Sequence, residues 1–352
     1  MKELVFISAQ PDDIAFSWQI ELFIESVRDA GYTNQIQVLL YVPTGRISYG
    51  PSARFKMLEK RYKDTNVQFY WYPDTANLLD FGIQQANYTP LLRPHILKKH
   101  FYKYPELQQY AIFYHDSDII FSRKVDLTPY LSDDTCYLSA TRGYLGVKYF
   151  DDKIQNVRPG LGQAYQQADV LNLCAEQIRI SRQICQLNDQ TVGGAQYILK
   201  NIDHQFWEDV EIGAYRLRRL LAYELNGLNS HFFASENDGI QSWCSDMWSL
   251  LWNLWKRGVK TATPASLNFC WATDPIEKWD DTAIYHDAGL SEANKHFLFD
   301  KKHPAYIYGG QLPFDFSQSH VSSQHCSYKY VQYIKQINHK YYKKDEKSVC
   351  SV

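Results

Sequence analysis

The stretch Ala111-Ile112-Phe113-Tyr114-His115-Asp116-Ser117-Asp118-Ile119-Ile120-Phe121 decides how the rest of the chain is read. Two apolar runs flank an Asp-x-Asp. In extended chain, residues i and i+2 point the same way, so the carboxylates of Asp116 and Asp118 can face one cation. Mg²⁺ or Mn²⁺ is typically held by one or two carboxylates together with the oxygens of a bound phosphate. An apolar strand that stops in Asp-x-Asp therefore suggests a metal–diphosphate site. The plain alternative is an acidic turn after a buried strand.

The residues upstream give that strand its setting. Leu4 to Ser8 reads as a buried strand and Ala9 to Asp13 as a turn. Trp18 to Arg28 carries Leu22, Phe23, Ile24 and Val27 at helical spacing and stops at Gly31. Gln37 to Pro43 and Asn66 to Pro73 read as further strands. A helix is expected near Leu91 to Phe101, with Pro94 in its first turn, and then a fourth strand from Tyr110 to Tyr114. This alternation predicts an α/β fold with a mainly parallel sheet flanked by helices. In such sheets, ligands bind beyond the carboxyl ends of the strands. The loops after Ile7, Val42, Tyr72 and Tyr114 then share a face, which places Gln10, Asp12 and Asp13 beside Asp116 and Asp118.

The second half changes character. A helix is expected from Tyr165 to Leu187, and Asp189 to Gln196 reads as a turn before Tyr197-Ile198-Leu199. Trp243 to Arg257 has a strong helical pattern that ends at Gly258. Leu267 to Trp271 and Ala283 to His286 are short apolar runs. Beyond Leu290 the chain is more polar, and a Lys-rich tail from Lys340 is expected to fray. The expected division is residues 1–290 as one domain, with a nucleotide-binding half (1–130) and an acceptor half (131–290), followed by a C-terminal extension (291–352).

Composition narrows the classes. With 352 residues the chain can bury a large core, and its formal net charge of −2 argues against general nucleic-acid binding. Its 27 Tyr and 9 Trp suit sugar stacking and large cores alike. The seven cysteines (136, 174, 185, 244, 270, 326 and 350) are scattered without Cys-x-x-Cys spacing. That disfavours a zinc site or a disulfide framework and suits a reducing compartment. With no signal peptide or apolar span of about twenty residues evident, a cytoplasmic location is expected.

Taken in order, several motifs resemble the GT-A glycosyltransferases, and within them the plant families that put arabinose on hydroxyproline or galactose on serine. These are Leu92-Arg93-Pro94, His115 to Phe121, Gly193-Gly194-Ala195-Gln196, Trp243-Cys244-Ser245-Asp246-Met247 and Ile284-Tyr285-His286. The resemblance implies that Asp116 and Asp118 coordinate Mn²⁺ or Mg²⁺ on a nucleotide-sugar diphosphate, with Ser117 between them at the donor. It implies that His286 completes the metal shell. The loop holding Gln10, Asp12 and Asp13 would contact the base or ribose, and Arg93 would add a polar contact near the donor. Gly193, Gly194 and Gln196 would line the donor sugar. Asp246 would be the acid at the acceptor side, with Asp238 and Glu236 as rival bases. The donor would be a UDP-sugar and the acceptor a hydroxyl on a glycan, glycolipid or protein.

Each assignment has a structural alternative. His286 can be a hydrogen-bonded core histidine, with Asp287 serving in its place. Gly193-Gly194 can be a tight turn with positive φ. Asp246 lies in a helix apolar nearly all round, where a carboxylate is costly unless paired. Arg216 or Arg218 is the expected structural partner. Lys301, Lys302 and His303 can reach a diphosphate or form a solvated charge cluster.

Two rival functions remain open. Ala9-Gln10-Pro11-Asp12-Asp13 resembles the His-Pro-Asp-Asp motif of zinc-dependent sugar deacetylases, with Gln10, a poor zinc ligand, in place of the histidine. The other rival is a non-catalytic carbohydrate-binding module.

Overall fold

Leu4–Pro11 forms the central strand β1 because seven consecutive side chains are buried between helical layers on both faces of the sheet. The computed structural model describes residues 1–42, 52–73, 88–157, 169–224 and 240–343. After β1 come α1 (Ile14–Asp29), β2 (Gln35–Val42), α2 (Ala53–Tyr62), β3 (Val67–Pro73), α3 (Leu92–Lys103), β4 (Ala111–His115), β5 (Ile119–Phe121) and β6 (Cys136–Ala140). The second half adds α4 (Val147–Val157), α5 (Val170–Gln177), α6 (Arg182–Leu187), β7 (Gly193–Lys200), α7 (His204–Arg219) and α8 (Ser245–Lys256). The chain then continues through β8 (Thr261–Ala262), β9 (Phe269–Trp271), β10 (Ile284–His286) and α9 (Cys326–Tyr341).

Seven strands form the main sheet in the order β3-β2-β1-β4-β7-β6-β8. The β3-β2-β1-β4 block is parallel, β7 runs antiparallel to β4 and β6, and β8 is parallel to β6. A second sheet, β5-β10-β9, is three-stranded. The predicted mixed α/β architecture with helices on both faces is therefore present. One apolar core lies on the α3, α7 and α8 side, including Ile7, Ile112, Leu97, Trp207 and Trp248. The opposite core sets Phe6, Val38 and Phe113 against Ile20, Phe23 and Ile24 of α1. A third core joins the outer side of α1 (Trp18, Leu22) to β9, β10 and α9. Helix α1 is thus buried on two sides, which explains why even its Glu21 and Glu25 are inaccessible.

Several sequence expectations need correction. Ala9 to Pro11 continue β1 rather than turning. The helix expected over Tyr165 to Leu187 is, within the described residues, two helices, broken where Arg179 takes φ 65 and Ser181 caps α6. Gly193 to Gln196 belong to strand β7, not to a turn. The stretch from 204 to 219, which drew no assignment from sequence, is the helix α7. At the start of the Lys-rich tail, α9 runs to Tyr341, Lys340 pairs with Glu25, and the Tyr342 hydroxyl donates to Glu21 at 2.5 Å; the rest of the tail, residues 344–352, lies outside the described residues.

Candidate functional site

Strand β4 ends at His115 in the main sheet, and β5 begins at Ile119 in the second sheet. Asp116-Ser117-Asp118 is the crossover between them. The carboxylates converge through this turn, not through the extended i, i+2 geometry expected from sequence. In the second sheet, His286 pairs with Ile119 across an antiparallel ladder, and Asp287 N–H donates to the Asp118 carbonyl at 3.0 Å. This register delivers the histidine to the acids. Asp116, Asp118 and His286 each offer a ligand atom, and these atoms all lie within 4.8 Å of one another. His286 Nε2 is 3.3 Å from Asp118 and 3.7 Å from Asp116.

Two cations flank the acids from opposite sides. Arg93, in the first turn of α3, bridges Asp116 and Asp246 through separate guanidinium nitrogens. Lys301, from the chain after β10, pairs with Asp118 and also donates to the Asp287 carbonyl. Lys301 is thus part of the site rather than of a solvated cluster. Lys302 and His303 are exposed, with His303 accepting from Ala305 N–H at the start of a short helix. Burial alone would raise the Asp118 carboxyl, but Lys301 and His286 outweigh it and hold the group well below the usual carboxylate range. Among the described residues no ion pair forms to Asp287, and burial pushes its carboxyl up to about 7.

The turn is held from below. His115 is fully buried, stacks on Phe23 at 3.7 Å between centroids, and makes a 2.7 Å hydrogen bond through Nδ1 to the Asp116 carbonyl. Burial lowers its pKa to about 3, so the ring is neutral and Nδ1–H is the donor. Ser117 donates to Gln19 of α1 at 2.7 Å. His286 stacks on Trp271 with ring centroids 5.2 Å apart.

Asp246, in the first turn of α8, is 7 % exposed. Its partner is Arg93, with a second contact from the Tyr88 hydroxyl at 3.1 Å. The expected partner Arg218 instead donates to Ser242 and packs its guanidinium over the Tyr88 ring. Arg93, Asp116, Asp246, Tyr114 and Tyr197 line one small cleft. Asp238 and Glu236 lie outside the described residues.

The remaining predicted residues are placed as follows. Asp12 accepts from the Ser52 hydroxyl and N–H at 2.5 and 2.7 Å, tying the start of α2 to β1. Asp13 caps α1 through Ala15 N–H. Gln10 is buried and donates to the Leu39 carbonyl at 3.1 Å, while its side-chain oxygen has no hydrogen-bond partner among the described residues. Neither Gly193 nor Gly194 has positive φ. A Cβ on Gly193 would stand 2.5 Å from Leu138 Cβ and 2.7 Å from the Ser139 carbonyl oxygen; one on Gly194 would stand 2.6 Å from Met247 Cε. The left-handed residue of this motif is Ala195 at φ 68, next to a shift in the β6–β7 register. Such bulges re-aim side chains near functional sites. Gln196, following it, contacts Ser139 and His286.

Sequence reasoning missed Tyr88, Ser139 and Trp271 as parts of the site. No local motif marks them, because tertiary contacts alone bring them to Asp246, Gln196 and His286.

No protein-family model matches this sequence, and no curated protein sequence does. Among solved structures, the galactosyltransferase LgtC in complex with donor and acceptor sugar analogs is similar at 15% identity and TM-score 0.39, over 87% of this chain and 92% of that one. The Mn/GDP form of core-mannan synthase A from Aspergillus fumigatus is similar at 11% identity and TM-score 0.30, over 76% and 72%. Residues 1-349 of TarS from S. aureus are similar at 12% identity and TM-score 0.29, over 62% and 54%. All of these scores fall below 0.5, and the functional reading rests on the site itself.

Proposed function

We propose that the chain is a metal-dependent glycosyltransferase of the GT-A class that moves a sugar from a nucleotide-sugar to a hydroxyl acceptor. The convergence of Asp116, Asp118 and His286 at the carboxyl end of β4, between Arg93 and Lys301, carries this reading. The two carboxylates supply the oxygen ligands that suit Mn²⁺ or Mg²⁺, and the imidazole adds one nitrogen ligand. When bound, the cation would stabilise negative charge growing on a diphosphate leaving group. Arg93 and Lys301 add fixed positive charge on either side, as transition-state stabilisation of such a group requires. Both cations are engaged by the acids, so a diphosphate would compete for them.

Asp246 faces the same cleft on the Arg93 side. Arg93 and Tyr88 each engage one of its oxygens, which favours a fixed carboxylate supporting positive charge at the sugar carbon over a base that takes the acceptor proton. Asp238 remains the proposed alternative base. Gln10, whose buried side-chain oxygen has no partner among the described residues, is the best placed of the β1-end residues to read a nucleotide, whereas Asp12 holds the N-cap residue Ser52 of α2 and Asp13 caps α1. The same capping weighs against the deacetylase reading. Among the described residues, the cluster with ligand geometry lies at Asp116, Asp118 and His286, not around Gln10 to Asp13.

The family resemblance supplies UDP as the expected nucleotide. The test is calorimetric titration with UDP, GDP and CDP, each with Mn²⁺ and with chelator. Metal-dependent binding of one nucleotide is expected. If a folded sample binds none of them, the transferase reading is wrong.

A further inference from the structure

A histidine that ligates a cation must present an unprotonated ring nitrogen, and which nitrogen carries the proton depends on what the other one meets. His286 Nδ1 lies 3.4 Å from the side-chain nitrogen of Gln196. The Gln196 side-chain oxygen accepts from the Ser139 hydroxyl at 2.7 Å. Ser139 and Gln196 are fully buried, and His286 is 5 % exposed. A glutamine there is costly unless its polar ends are satisfied, and both of its ends have partners.

With the amide in this orientation Gln196 donates to Nδ1, and the ring N–H that remains is Nε2–H. Nε2–H then faces Asp118 at 3.3 Å. That tautomer serves the carboxylate and cannot ligate a cation. Rotating the Gln196 amide by half a turn exchanges its oxygen and nitrogen. The oxygen then accepts from Nδ1–H, and the nitrogen donates to Ser139, whose hydroxyl can either donate or accept. Both ends of the Gln196 amide keep a partner in either state. The imidazole itself is poorly placed to turn over, because it is stacked on Trp271 with an interplanar angle of 27°.

We propose that Ser139, Gln196 and His286 form a tautomer relay, in which Gln196 is the positioning residue that turns His286 Nε2 from a donor to Asp118 into a ligand for a divalent cation. The relay rests on the metal-site reading above. It assigns Gln196 to the histidine rather than to the donor sugar.

The test uses the full chain and two readouts, neither of them turnover. Nitrogen-15 NMR of the histidine rings in ion-free protein reports the tautomer of His286, and calorimetry with Mn²⁺ reports affinity. Wild type is expected to show Nε2–H. Gln196→Glu, which can only accept when ionised, should shift the ring to Nδ1–H and keep Mn²⁺ binding. Gln196→Met, of similar volume with neither amide group, should weaken Mn²⁺ binding about 10- to 100-fold, the usual effect of losing an outer-shell partner. Ser139→Ala should weaken binding in the same direction, and it replaces Gln196→Met if that variant does not fold. Wild-type Mn²⁺ affinity in both Gln196→Met and Ser139→Ala, with an unchanged His286 tautomer in Gln196→Glu, overturns the relay and leaves the metal site standing. No Mn²⁺ binding by wild type overturns the metal site and the relay with it.

Discussion

Asp116 and Asp118 are two residues apart and keep different company: Arg93 on the α3 side, Lys301 and His286 on the second-sheet side. Asp118→Asn removes a charge that Lys301 faces while largely buried. Replacing one partner of such a pair is costly because the other charge is left uncompensated. Loss of Mn²⁺ binding by at least about tenfold is expected in calorimetry, and full retention would remove Asp118 from the metal set. Elsewhere, His100 fixes its own titration. Its ring lies 2.5 Å from the Tyr72 hydroxyl through Nδ1 and 2.7 Å from Gln37 through Nε2, a pairing the neutral ring completes. Burial lowers its pKa from the ordinary 6.5 to about 3. Between those values the unfolded chain binds a proton that the folded chain does not. Stability from this group is therefore full above about pH 6.5 and falls as the pH drops toward 3, with a slope approaching about 1.4 kcal/mol per pH unit. His100→Gln should flatten the denaturant-midpoint profile over that range by about one proton's worth, and an unchanged profile would show that His100 is not the titrating group.

At the scale of elements, the periodic and apolar signals were legible. Strands β1 to β4 and helices α1, α3 and α8 follow the runs read from sequence, and Gly258, read as the stop of α8, takes φ 70 just past its end. Signals failed where tertiary packing overrides local pattern. Turn-like Gly193-Gly194 is strand because it pairs with Ala140 and Ser139 of β6, while Leu145 and Met247 close on Gly194. Helix α7 escaped notice because its Phe206, Trp207, Val210, Ala214 and Leu217 are interleaved with acids and arginines. The site divides likewise: the acids, His286, Arg93 and Asp246 could be named, but the pairing of Arg93 with Asp246 could not. Gly193 gives a test of its two readings. A methyl group there would meet the Ser139 backbone oxygen and Leu138 Cβ, neither of which is the far end of a flexible side chain. Gly193→Ala should therefore cost about 1–3 kcal/mol of stability through overpacking. Thermal melting separates the readings, since a purely donor-lining glycine would lose nucleotide-sugar affinity with an unchanged melt.

Across the whole molecule, the segment from 291 to 343 closes the site as well as the fold. It supplies Lys301 and then packs α9 against α1 and the second sheet. An ionic network adds to this apolar packing at the C-terminal end of α9. Glu21, buried completely in α1, pairs with Arg54 and Arg61 of α2 and accepts from Tyr342, while Glu25 pairs with Lys340 and accepts from Tyr62 at 2.8 Å. Arg61 also lies over the Tyr341 ring, 4.1 Å from its centroid. A buried network of this kind adds little net stability over an apolar core, yet breaking it from one side is expensive. Glu21→Leu leaves two arginines without their carboxylate and is expected to cost about 3–5 kcal/mol. Because the lost contacts join α1, α2 and the end of α9, hydrogen exchange should accelerate first in Cys326–Tyr341 and α2, before the β1–β4 core. The second sheet carries His286 and rests on α9, so Mn²⁺ affinity should fall with it although Glu21 contacts no proposed ligand. Uniform exchange across all elements would instead mean that the C-terminal segment and the central sheet open as one unit, and that the ionic lock does not govern access to the site.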